Sequence, residues 1–186
     1  METQKTLNIV NGVNLDILQA TIGNIQDDPE LAKCRFHIRN KWINGTENRS
    51  IVSSFYGAKQ ENQHEPPFEL KSDEPKILAG KDEAPNPVEN LLNALAGCVT
   101  TGMVAHAAVR GIDIQEVESE LEGDIDVQGF LGISPDVPRE LTEIRMKVKV
   151  KANPRDIEKL QELAEFSPIY NTLLKGVKVD LKVEPK

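Results

Sequence analysis

An α+β fold with antiparallel sheets is what this 186-residue chain predicts, on three observations. Residues 86–111 carry one long helical signal, apolar on nearly every side. Runs of period-two alternation lie before and after it. Two short helical segments and a last alternating run then close the chain.

The elements follow in order. Residues 1–33 read as a polar, helical N-terminal arm. Asn14 is placed to cap a helix over 15–25, with Leu15, Leu18 and Ile22 at helical spacing. Asp27, Asp28 and Pro29 restart a short helical turn. The main domain, 34–186, begins where the period changes to two. Cys34, Phe36, Ile38 and Trp42 fall on one strand face, with Arg35, His37, Arg39 and Lys41 on the other. Asn44-Gly45 is a hairpin turn signal, and 49–56 is the returning strand. Residues 57–67 read as a polar loop; 68–70 and 76–78 are short strand candidates before a loop at 80–85.

Asn86 and Pro87 supply the N-cap and first position of the long helix, while Arg110 and Gly111 supply its stop. Beyond it, Val117, Leu121, Ile125 and Val127 face one way and Glu116, Glu118, Glu120, Glu122, Asp124 and Asp126 the other. After a Gly/Pro loop at 128–140, Ile144, Met146, Val148 and Val150 point inward and Arg145, Lys147, Lys149 and Lys151 outward. An acidic row followed by a basic row predicts an antiparallel pair with cross-strand charge pairing. Asn153-Pro154 and Ser167-Pro168 each open a helix, the second ending at Gly176. Val177, Val179, Leu181 and Val183 predict a closing strand.

Cys98 lies in the middle of the long helix. A thiol there is either an inert core residue or a shielded reactive centre. Its neighbours three and four positions away are Ala94, Leu95, Thr101 and Gly102, none of them a base or a cation. An activating charge must come from another element or another subunit. Gly97 and Gly102 permit very close packing, and a second copy of the same helix is the natural partner. One chain of this size can hardly cover so apolar a helix alone, which predicts a homodimer.

The segment Asn86-Pro87-Val88-Glu89-Asn90-Leu91-Leu92-Asn93-Ala94-Leu95-Ala96-Gly97-Cys98, with Ser167-Pro168-Ile169-Tyr170-Asn171-Thr172-Leu173 downstream, resembles the OsmC/Ohr family of osmotically inducible and organic hydroperoxide resistance proteins. The resemblance covers roughly residues 34–185. It implies an OsmC-like fold, an intertwined dimer with antiparallel sheets around buried central helices, and a thiol peroxidase site at the subunit interface. In that scheme the helix cysteine, here Cys98, attacks an organic hydroperoxide and becomes a sulfenic acid. A second cysteine resolves it, an arginine lowers the thiol pKa, and a glutamate near the start of the helix holds the arginine.

This chain departs from the scheme. Ser167 stands at the resolving position, and serine forms no disulfide. The glutamate position ten residues before the cysteine is Val88, with Glu89 one residue along. Arg49 is the best match for the arginine, Arg39 the second; the plain alternative is a surface strand arginine. Cys34, the other thiol, reads as a core strand residue. The resemblance therefore implies a one-cysteine peroxidase with an external thiol reductant, or a non-catalytic relative that binds a small apolar ligand or senses thiols.

Several classes are set aside. Against 22 Lys and Arg stand 30 Asp and Glu, for a net charge of -8, which argues against nucleic acid and anionic membrane surfaces. Met1 to Leu7 lack a signal-peptide pattern, and Glu89, Asn90, Asn93 and His106 interrupt the long helix as a membrane span. Two cysteines without close spacing give no disulfide framework, and three histidines give no metal-ligand spacing. No metal or other cofactor is expected, and the cytoplasm is the expected home.

Overall fold

Asn14 sets the start of the first helix. Its side-chain oxygen accepts from Ile17 N–H at 3.2 Å, and α1 runs Leu15–Asp27. The computed structural model describes residues 7–186, in two units that divide between Leu91 and Leu92. In the first unit, β1 (Ile9–Val10) and β2 (Val13–Asn14) form a small hairpin ahead of α1. This corrects the all-helical reading of the arm. Asn11-Gly12 makes the turn, with φ of 52° and 76°, conformations those residue types tolerate. The part of that reading at residues 1–6 lies outside the described residues. Asp28 caps a 3₁₀ turn at Pro29–Ala32 and pairs with Lys59.

Four strands follow in one antiparallel sheet: β3 (Arg35–Phe36), β4 (Arg39–Asn44), β5 (Glu47–Gly57) and β6 (Gln60–Ser72). β5 is central, with β3 and β4 along one edge and β6 along the other. Three expectations fail here. Cys34 precedes β3 and is exposed, so it is not a core strand residue. The predicted polar loop at 57–67 is mostly strand, because the chain reverses within Ala58-Lys59 at φ of 51° and 62°. The polar side chains of β6 are exposed, which hid the strand. Residues 76–78 form a 3₁₀ turn rather than a strand.

Register separates the sheet faces. Arg39, Lys41, Arg49, Ile51, Glu69 and Lys71 share one; Trp42, Val52, Phe68 and Leu70 share the other. The loop leading to the long helix is organised by Asp73, which is 1% exposed. Its carboxylate accepts from Thr46 Oγ1 at 2.6 Å and from the backbone N–H of Glu74, Lys81 and Glu83 at 2.9, 3.0 and 3.4 Å. Gly80 must lack a side chain, since a Cβ there would sit 1.6 Å from Glu74 O.

The long helix, α2, runs Pro87–Val109 and passes into the second unit. Gly111 follows it at φ 67°. By length and composition it is apolar enough to cross a bilayer, so its few polar residues do not themselves rule that out. Its packing is that of a core helix. Met103 and Ala107 meet Leu160 and Leu163 in a buried cluster, joined by Val117, Val148 and Val150. The sheet beneath is β7 (Ile114–Asp124) antiparallel to β8 (Glu143–Ala152), linked through the short helix α3 (Val127–Phe130). Glu118 faces Lys149, Glu120 faces Lys147 and Glu122 faces Arg145, the charge ladder that the alternation predicts. α4 (Ile157–Ala164) and α5 (Pro168–Lys175) complete the unit.

Two readings of this unit need correction. α2 is not covered on nearly every side: Asn93, Ala94, Gly97 and Thr101 are exposed. The closing strand is absent. Residues 177–186 have no regular structure, and Val177, Val179, Leu181 and Val183 are 67–93% exposed. Alternation creates a strand-compatible segment, but a strand exists only where another backbone pairs with it.

Candidate functional site

The head of α2 is fixed by a reciprocal capping box. Asn86 Oδ1 accepts from Glu89 N–H at 2.8 Å, and Glu89 Oε2 accepts from Asn86 N–H at 2.8 Å. Glu89 therefore acts locally as a cap. Its charge joins that of Asp73, after burial, in raising the pKa of Glu74.

Nine residues further on, Cys98 is half-buried on the open side of α2. It shares a shallow concavity of about 560 Å³ with Asn93, Ala94, Gly97, Thr101, Gly102 and Pro168. None of these described lining residues is charged. The small side chains follow from the sequence, and they leave the sulfur reachable by a molecule lying along the helix.

Ser167 reaches this place from the head of α5. It is fully buried, and its Oγ caps that helix by accepting from Tyr170 N–H at 3.2 Å. Its backbone nitrogen lies 3.9 Å from where a Cβ on Gly102 would stand, one helical turn beyond Cys98. The structure thus brings the Ser167-Pro168 segment to the turn of α2 that carries Cys98.

Arg49 belongs to the first unit. Its guanidinium binds Glu47 Oε1 at 3.0 Å and approaches Glu69 at 3.9 Å, on the charged face of the sheet. Arg39 lies on the same face, opposite Ile51. Both are engaged or exposed within their own sheet.

Two groups near α2 escaped the sequence reading. His106 stacks on Phe166 with ring centroids 4.4 Å apart and lies 3.3 Å from Arg110. Burial first, then the Arg110 charge, holds its pKa below the usual histidine value. This clasp joins α2 to the residue before Ser167. Its only sequence signal was the apolar setting of His106. Asp73 is the other: the Thr46 hydrogen bond foremost, then those from three backbone N–H groups, hold its pKa at about 2 against burial. An Asp before a Pro- and Gly-containing loop was the available hint.

The second unit also holds an apolar cavity of about 530 Å³. The inward face of β8 forms one wall and Leu173 and Leu174 of α5 another; Cys98 does not line it.

Comparison with known proteins places this architecture. The profile of the OsmC-like protein family matches residues 80–182, more than half of the chain. The chain belongs to the OsmC-like family. Among solved structures, an OsmC-like protein from Mycoplasma pneumoniae is similar at TM-score 0.59 and 18% identity, covering 76% of this chain and 89% of that one. An organic hydroperoxide resistance protein OsmC from Legionella pneumophila is similar at TM-score 0.54 and 18% identity, covering 77% and 93%. An OsmC-like protein from Vibrio cholerae is similar at TM-score 0.55 and 12% identity, covering 74% and 92%. At these identities the likeness is one of fold. No curated protein matches the chain significantly. The matched span of this OsmC-like chain contains both Cys98 and Ser167, whereas Arg49 lies before it.

Proposed function

We propose that this OsmC-like protein is a cytoplasmic, homodimeric thiol peroxidase that reduces organic hydroperoxides through Cys98, with an external thiol as resolver. The observation that carries the reading is a half-buried thiol in an uncharged concavity, beside the helix head where Ser167 stands. In the reaction the Cys98 thiolate attacks the terminal peroxide oxygen. The O–O bond breaks, the alkoxide leaves and takes a proton as the alcohol, and Cys98 becomes a sulfenic acid. An external thiol then attacks the sulfenic sulfur, releasing water and leaving a mixed disulfide. A second thiol releases reduced Cys98. Small walls suit an apolar alkyl or aryl chain better than hydrogen peroxide.

Thiolate chemistry needs a cation, since a free thiol has a pKa of about 8.5. None lines the concavity, so in this reading Arg49, or failing it Arg39, arrives through assembly. Glu89 then serves the site by fixing the helix head. Homodimer formation agrees with the exposed small-residue side of α2, which allows close helix approach.

Stopped-flow consumption of cumene hydroperoxide, compared with hydrogen peroxide and followed with monothiol and dithiol reductants, tests the reading. Consumption should favour the organic peroxide and vanish in Cys98→Ser. One equivalent of peroxide should leave a dimedone-trappable sulfenic acid on Cys98. Absence of both sinks the peroxidase and leaves a protein that binds a small apolar ligand. Arg49→Ala should slow the reaction while the protein stays folded.

A further inference from the structure

We infer that the charged face of the first sheet is a binding site for a compact polyphosphate, centred on a row of three cations, Lys41, Arg49 and Lys71. The inference goes beyond the peroxidase reading and does not rest on it, since binding is read whether or not Cys98 turns over.

Strand register makes the row. Arg49 on β5 stands directly opposite Lys41 on β4 and directly opposite Lys71 on β6. Adjacent strands lie about 4.8 Å apart, so three strands carry the row across about 10 Å. Like charges directly opposite one another destabilise a sheet. The second unit avoids this, because on β7 and β8 each glutamate from Glu116 to Glu122 faces a Lys or an Arg. The acids beside the row do not neutralise it. Arg39 adds a fourth cation on the same face, against Glu47 and Glu69 alone on these strands. Glu47 binds Arg49 and is shared with Lys81 at 3.8 Å. Glu69 lies 3.9 Å from Arg49 and 3.7 Å from Lys71. Among the described residues, neither Lys41 nor Arg39 has an ion pair. Both are exposed, and the side chains of Arg49 and Lys71 are 42% and 53% exposed, so the row is open to a ligand.

Charge and size together name the ligand. A row of cations that costs the sheet stability is complementary to a partner of opposite charge. A guanidinium flanked by two ammonium groups suits phosphate oxygens: the fork of Arg takes two of them, and each Lys acts as a point charge. The length of the row fits a few linked phosphates better than a single anion. The net charge of -8 then limits how large the ligand is. At physiological salt, charges are screened beyond about 8 Å. A compact polyphosphate held on the row feels chiefly the row. A nucleic acid or an anionic bilayer extends past it and meets the acidic remainder of the chain.

Calorimetric titration of the full chain with inorganic tripolyphosphate, at low and at physiological salt, tests this. Binding should saturate and should weaken as salt rises. Lys41→Gln and Lys71→Gln should each weaken it about threefold, and together about tenfold. Lys41→Arg and Lys71→Arg should keep it, which separates loss of charge from loss of fold. Arg49 and Arg39 stay unchanged in every variant, because the preceding reading gives them another task. Lys147→Gln is the control: that lysine faces Glu120, and its variant should bind as the wild type does. Amide shifts on titration should cluster at 39–51 and 69–72. Adenosine triphosphate distinguishes the source. Tighter binding than tripolyphosphate assigns the site to a nucleotide, and equal binding assigns it to the phosphates alone. Sulfate bound as tightly as tripolyphosphate would mean an adventitious ion site and overturns the proposal. So does unchanged binding in the double Gln variant, an equal loss in Lys147→Gln, or neither heat nor shift at millimolar tripolyphosphate.

Discussion

The two sides of α2 are built differently. One side carries Leu95, Val99, Met103 and Ala107, all buried, with Met103 and Ala107 packed on α4. The other carries Ala94, Gly97, Cys98 and Thr101 and lies open beside the Ser167-Pro168 segment. Both sides are apolar or nearly so, and hydrophobicity alone does not tell them apart. Side-chain size does. Large residues fill a space inside the chain; small ones leave room for something to lie directly against the helix. The reactive atom proposed for this protein sits on the small side.

The sharpest way to break this contrast is to truncate each side. Met103→Ala should destabilise the protein by about 3 kcal/mol, since it removes a buried core side chain. In urea the midpoint should fall with the slope unchanged. Cys98→Ser on the open side should move stability by less than about 0.5 kcal/mol in the isolated chain. Comparable losses at the two positions would show that the sides are equally covered.

A second test moves to the head of the helix, where cover is polar. Asp73 has a folded pKa of about 2 against an ordinary 3.8. Its stabilising contribution is therefore full above about pH 4 and is lost as pH falls toward 2. Asp73→Asn should lower the urea midpoint at pH 6 and flatten this acid limb. His106 adds a loss of the same sign at higher pH. Its folded pKa is lowered, so on acidification from neutral pH the unfolded chain takes up the proton first, and stability falls. His106→Gln should remove that earlier slope while leaving the one from Asp73. A single acid transition unchanged by either variant would refute both assignments.

What the amino acids announced, and what they hid, divides along the same line as the two sides of α2. Local chemistry was legible: Asn14, Asn86 and Ser167 cap the helices expected of them, and β7 and β8 pair as their charges require. The family resemblance singled out Cys98 and Ser167, and Pro168 shares a concavity with Cys98. Features that depend on distant partners were not legible. The first part of β6, before the expected strand at 68–70, was missed because it is as polar as a loop, and its turn uses Ala58-Lys59 rather than Asn-Gly. The reach of Asp73 to Thr46 spans 27 residues that no local pattern joins. The terminal alternation was legible, but pairing is a property of two strands, and one chain supplied only the first. Arg49 illustrates the limit for the site: its register partners and its ion pairs are described by its own sheet, and neither names the cysteine.

The finest test uses one methyl group. Gly97 is helical, and a Cβ built on it meets no atom within 4 Å. In an open helix, Gly97→Ala should stabilise the protein by up to about 1 kcal/mol, because glycine is a poor helix former and nothing obstructs the methyl. If a second copy of α2 lies against this side, the same methyl stands in the contact. Stability at low concentration should then rise while the dimer dissociates more readily, so the unfolding midpoint should become more dependent on protein concentration than in the wild type. Sedimentation equilibrium beside thermal unfolding at two concentrations separates the effects. A gain in stability with an unchanged dimer would place the subunit contact elsewhere on the molecule and leave the Cys98 side free for small molecules alone. A loss of stability at every concentration would show that the helix side is already covered within the chain, and the contrast between the two sides would fail.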